Sequence, residues 1–175
     1  MKPTKRGLTY MTYPMSCKLE ERVQQIVDCF AEIHSKIDSF DHTNQVSDTV
    51  LAELAPGLKK TGFEVEAGKK ANQKLSVPVL FGLNGRVTKS FDVDAATPNK
   101  KVVLEVEAGR GVTNHQFLKD LFEACVMPQV EHLVIAVRNI YKDSDDFKKV
   151  CDFIEAIYSS ERFTIPLSTV TIIGY

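Results

Sequence analysis

Apolar and polar positions alternate with two different periods along this chain, and the change falls near Gly62. Before it, Val23, Ile26, Val27, Phe30, Ile33 and Ile37 recur at helical spacing and predict a helix over 18–40, with Ser16 placed to cap it. A second helix is predicted over 46–58, with Val50, Leu51 and Leu54 inward and its end disturbed by Pro56 and Gly57. After Gly62 the period becomes two. Short strands are predicted at 63–66 and 77–81, the latter marked by Pro78 as an edge or a strand start. Asn84-Gly85 is a turn signal, and strands at 87–95 and 100–107 follow, joined at Pro98-Asn99. Thr113-Asn114 cap a predicted helix that reaches Met127, with Phe117, Leu118, Leu121, Phe122 and Cys125 inward. The unbroken apolar run 132–137 reads as a strand buried on both faces. A helix over 144–159 and a strand over 167–173 complete the pattern. Residues 1–15, with Pro3, Gly7 and Pro14, read as an irregular N-terminal arm, and 16–175 as one α/β domain.

The predicted hairpin carries the chemistry. With Pro98 and Asn99 as a two-residue loop, Asp92 lies directly opposite Glu105, Asp94 opposite Val103 and Ser90 opposite Glu107. Alternation along each strand then puts Asp92, Asp94, Glu105 and Glu107 on one face and Phe91, Val93, Leu104 and Val106 on the other. Cβ atoms of opposed residues lie about 4.5–5.5 Å apart and those of diagonal neighbours about 7–8 Å, separations that suit oxygens converging on one or two cations. Without a cation the carboxylates would repel and raise one another's pKa. Mg²⁺ removes the conflict, because it takes one or two carboxylates and keeps waters for a substrate phosphate; Mn²⁺ is the natural substitute. The competing reading is a solvated sheet face that happens to be acidic.

Composition narrows the picture only slightly. A chain of 175 residues with 43% hydrophobic and 26% charged residues is long enough to bury a core without staples. No apolar run approaches the roughly 20 residues that span a bilayer, and no signal-peptide segment follows the basic start Met1–Arg6. The expectation is no membrane partner and a cytoplasmic location. Cys17, Cys29, Cys125 and Cys151 form no CxxC, and the last three fall in or beside apolar helical stripes, as small hydrophobes do. Net charge is −1, without the basic excess usual for nucleic-acid binding. Lys59, Lys60, Lys69, Lys70, Lys74, Arg86 and Lys89 nevertheless crowd one stretch, either as a solvated face or as a phosphate-contacting surface.

From residue 46 onward the order helix, strand, carboxylate hairpin, helix, buried strand, with an Asp followed by Glu105-x-Glu107, resembles the PD-(D/E)XK nuclease superfamily. The resemblance covers about 46–140. It implies a restriction-endonuclease-like core, a central mixed sheet of about five strands flanked by helices. It also implies that Asp92 or Asp94 is the first acid, Glu105 the second, and that Glu107 occupies the lysine position. Phe91 stands where the signature has proline. Some type II restriction endonucleases share the Glu-x-Glu variant. Arg110 and Lys119 are candidates for the displaced basic group, and Glu20, Glu53, Glu64 and Glu66 for an additional acid.

The resemblance therefore implies a Mg²⁺-dependent endonuclease acting on DNA. Its metal ligands would be Asp92, Asp94 and Glu105, with Glu107 as a further catalytic acid. Lys69, Lys70, Lys74, Arg86, Arg110 and Lys119 would contact nucleic acid. A homodimer would bring two sites to two strands. The alternative is a catalytically inactive nuclease-like fold serving as a nucleic-acid-binding or assembly subunit.

Overall fold

The computed structural model describes residues 5–109, 112–160 and 162–175. In chain order the strands are β1 (Thr9–Tyr13), β2 (Glu64–Val65), β3 (Leu75–Phe81), β4 (Val87–Val93), β5 (Ala95–Ala96), β6 (Val102–Glu107), β7 (His132–Val137), β8 (Ile140–Tyr141), β9 (Ser144–Asp145) and β10 (Thr169–Gly174). The helices are α1 (Glu21–Ile37), α2 (Ser47–Lys60), α3 (Gln116–Val126) and α4 (Asp146–Ser159). The first helix starts later than the apolar stripe suggests. Its cap is Glu20, whose carboxylate accepts from the N–H groups of Arg22 and Val23, and not Ser16. Val23, Ile26, Val27, Phe30 and Ile37 are buried, the inward face its spacing predicts. Gly57 lets α2 lie close to α1, because a Cβ there would sit 3.1 Å from Cys29 Sγ. α2 runs through Pro56 to Lys60.

Six strands form one mixed sheet in the order β1, β10, β7, β6, β5, β2. Its centre, β6, β7 and β10, is parallel and buried on both faces, which accounts for the unbroken apolar run of β7. The lead-in segment is not an arm throughout: Thr9–Tyr13 pairs antiparallel with β10 and forms a sheet edge. Alternation without a strong apolar run hid that strand. One apolar layer joins α1 and α2 to Leu104, Val106, Val134 and Ala136. A second joins residues of α3 and α4 to Val103, Leu133, Ile135 and Ile172 on the other face. The protein is thus an α/β structure with helices on both sides of a mixed sheet. Among the described residues no helix is long and apolar enough to cross a membrane.

The acidic hairpin differs from its expected form in two ways. The loop spans four residues, 98–101, because Thr97 N–H donates to Val102 O at 3.0 Å and Lys100 adopts a left-handed φ of 59°. Ala96 consequently pairs with Val103, and Ala95 with Leu104, so Asp92 does not oppose Glu105 and Asp94 does not oppose Val103. The strand is also broken. β4 pairs with β3 in a separate two-stranded sheet, and only β5 joins β6. Val93 therefore packs in the layer that holds α3, with Phe91 against it, and not with Leu104 and Val106.

Candidate metal centre

Strand alternation in β6 places Val103, Glu105 and Glu107 on the α3 side of the sheet and Leu104 and Val106 on the opposite side. Ala96 belongs to the α3-side layer as well, so Asp94, two residues earlier, falls on that side. Continuing the β5–β6 register by one step sets Asp94 beside Glu105. Two backbone contacts fix it there: Val106 N–H donates to Asp94 Oδ2 at 2.7 Å, and Glu66 N–H donates to Asp94 O at 2.8 Å. Asp94, Glu105 and Glu107 are brought together. Asp92 is not, since it is exposed on β4 and accepts a hydrogen bond from Ser76 Oγ at 2.5 Å.

A fourth acid comes from α3. Asp120 is 5% exposed, and its Oδ2 has no hydrogen-bond partner. The sequence does carry its signal. The buried face of α3 is Phe117, Asp120, Leu121 and Ala124, whereas Phe122 is exposed and Cys125 only partly buried. An inward stripe of Phe117, Leu118, Leu121, Phe122 and Cys125 turns Asp120 to solvent; rotating it by one position brings the acid to the core side. The start of the helix also differs from expectation. His115, with a left-handed φ of 54°, occupies the cap position without a side-chain cap bond, so Asn114 does not cap this helix.

Burial dominates the electrostatics. It raises Asp94 to about 6, against the favourable Val106 N–H and with a further push from Glu66. It raises Glu105 well above the usual carboxylate range, aided by the charges of Asp94 and Asp120. Glu107 rises through burial and the charge of Asp94. Asp120 rises through burial and then the charge of Glu107, so these two acids titrate as a pair that keeps a proton more readily than either would in water. Lys119 is the counter-charge. Its Nζ lies 3.1 Å from Glu123 and 3.9 Å from Asp120. Burial disfavours the lysine's charge, but Glu123, Asp120 and Glu105 together raise its pKa, keeping it protonated.

The remaining candidates divide by place. Glu66 stands next to Asp94 and is held by Lys74 Nζ at 2.9 and 3.0 Å. Glu64 pairs with Lys100, Glu53 with Lys36, and Glu20 caps α1, so none of the three is presented to the centre. Lys69 pairs with Asp48 at 2.7 Å. Lys70 is exposed, as is Arg86 between β3 and β4. Arg110 lies outside the described residues. Beside Glu107 opens a cleft of about 740 Å³ whose wall includes Asn114, Gln116, Arg138 and Tyr141. Gly109, at φ +87°, lets Tyr141 close on the end of β6, where a Cβ would meet the ring at 3.0 Å.

The donor set is made of hard oxygens, suited to Mg²⁺ or Mn²⁺. Among the described residues no group of three or more His, Cys, Asp or Glu side chains is arranged to hold a metal ion. Mg²⁺ requires fewer protein ligands, because one or two carboxylates suffice when water and a substrate phosphate fill the other positions. The orphaned Asp120 oxygen and four acids raised by burial mark a site short of positive charge. The chain matches no protein-family model and no curated protein sequence.

Proposed function

We propose that this protein is a Mg²⁺-dependent endonuclease that hydrolyses phosphodiester bonds of DNA on a restriction-endonuclease-like core. The observation that carries the reading is the convergence of half-buried Asp94, Glu105 and Glu107 with buried Asp120, and with Lys119 beside them. The order α2, β2, β5, β6, α3, β7, with β5 antiparallel and β7 parallel to β6, agrees with the resemblance read from the sequence.

Asp94 and Glu105 would hold the cation. When bound, it supplies a Lewis acid for the charge that builds on the scissile phosphate. Glu107 accepts the proton of the attacking water, since burial has moved its affinity toward neutral pH. Asp120, close enough to Glu107 to titrate with it, raises the proton affinity available at this pair of acids. Lys119 takes over the charge-stabilising role of a lysine at the Glu107 position, because it enters from α3 and stays protonated. A homodimer would set two such centres against the two strands of a duplex.

The test is cleavage of plasmid and single-stranded DNA with Mg²⁺ or Mn²⁺, beside Glu105→Ala purified identically. Wild-type cleavage that disappears in the variant is the expected result; cleavage that survives in it overturns the assignment. The second reading, a binding or assembly subunit without catalysis, is favoured by the glutamate that replaces the lysine on β6. DNA binding and Mg²⁺ affinity without cleavage would select it.

A further inference from the structure

The β3–β4 hairpin is only half anchored. Val77, Val79 and Val93 are buried in the layer that holds α3, but every residue from Leu80 to Lys89 is exposed. Leu80 and Phe81 are more than half exposed, Val87 nearly so, and Leu83 at the tip is 87% exposed. Four large apolar side chains in water at the end of a ribbon need a partner to repay their exposure. The surrounding charge says which kind. From Ala67 to Phe91 the chain has five cations, Lys69, Lys70, Lys74, Arg86 and Lys89, and no acid, although the whole protein is slightly acidic. Among the described residues Lys70, Arg86 and Lys89 form no ion pair with a carboxylate; Lys89 lies 4.9 Å from the Phe91 ring centre.

We propose that this hairpin is a DNA-bending arm that places Leu83 as an apolar wedge in the minor groove, while Arg86 and Lys89 contact the flanking phosphates. The proposal rests on DNA being the substrate and deepens that reading to duplex DNA. Leu75 to Val79 anchor β3 to the core, so only Leu80, Phe81 and the loop beyond them project, an arm on the order of 10 Å. Its base is continuous with Asp94, so a duplex gripped by the tip is held within reach of the carboxylates. The exposed tip is dominated by Leu and Phe in place of base-reading Arg or Gln. Such side chains gain by entering an opened base step, and a kink at that step brings more phosphate to the cations. A second copy of this chain, the other natural cover for apolar residues, would not need an acid-free cationic stretch.

The test uses the full chain carrying Glu105→Ala, in EDTA, so that no cutting intervenes. The probe is a duplex with 2-aminopurine at a TA step, whose fluorescence rises when the base unstacks. The parent should bind and brighten it. Leu83→Ala should abolish the brightening and weaken binding about tenfold without changing the salt dependence. Arg86→Ala with Lys89→Ala should lower the slope of log affinity against log salt by about two. Unchanged melting temperatures show that both variants are folded. Equal affinity and brightening in all three proteins overturns the arm. So does a switch from dimer to monomer in Leu83→Ala with DNA binding intact, which assigns the tip to self-association. The wild-type cleavage assay is separate: binding and unstacking without cleavage leave the arm standing and remove the nuclease, whereas cleavage untouched by the arm variants does the reverse.

Discussion

Asp94, Glu105, Glu107 and Asp120 are each easier to protonate in the folded protein than in water, and this links stability to pH with a definite sign. Asp94 moves from 3.8 to about 6 on folding. Between those values the unfolded chain has released its proton while the folded chain keeps it, so stability falls as pH rises through the window and stays lower above it. Asp120, raised further, extends the decline toward neutral pH. In EDTA the melting temperature is therefore expected to be higher near pH 5 than near pH 8, as thermal scans at both values would read. Asp94→Asn should be more stable than the parent near pH 8 by about 1–3 kcal/mol, because its amide needs no counter-charge. Urea titration checks this, and a loss of stability would mean that the Asp94 charge is already compensated. Lys119→Ala should lower the single-turnover cleavage rate about 10²–10³-fold with substrate affinity nearly kept. Three of the four acids were legible from strand alternation alone. Asp120 was not, because apolar Leu118, Phe122 and Cys125 offer a second face on the same short helix, and only packing against the sheet decides between the two.

Among the elements, helices and buried strands were legible and pairing was not. α1, α2 and α4 occupy nearly the spans their apolar stripes predict, and β7 matches its apolar run from His132 to Val137. These signals are local. The departure of β4 from β6 is a choice between two hairpin partners, since β3, across the 82–86 loop, and β6 both lie near β4 in the chain. Pro98-Asn99 looked like a complete turn, but Thr97 closes a longer loop with its hydroxyl against Asn99 at 2.8 Å. Pairing that shifts by two places still keeps every acid of β6 on its face, which is why Glu105 and Glu107 share a side with Asp94 despite the wrong register. Capping offers a test at this scale. Glu20→Ala removes the acceptor for two N–H groups of α1 and should cost about 1 kcal/mol in chemical denaturation, with no effect on cleavage.

At the scale of the molecule, helices cover the sheet on both faces, and the acids interrupt only the α3 side. The opposite layer, with Leu104, Val106, Val134 and Ala136, stabilises β6 and β7 from behind while the other face of β6 carries charge. Divalent cation binding should stabilise the whole protein by mass action, about 2.7 kcal/mol at a hundredfold excess over Kd. The rise in melting temperature with Mg²⁺ should be larger near pH 8 than near pH 5 and absent in Glu105→Gln. A rise that persists in that variant would place the ion elsewhere. The junction at Asp94 has one more consequence, for how such a chain can change in length. Between Val79 and Lys89 the ribbon touches little else, so whole residue pairs can be gained or lost there and only its reach alters. Between Ala95 and Glu107 the same freedom does not exist. One inserted residue within β6 ahead of Glu105 would turn both glutamates away from α3, leaving the sheet paired and the chemistry gone.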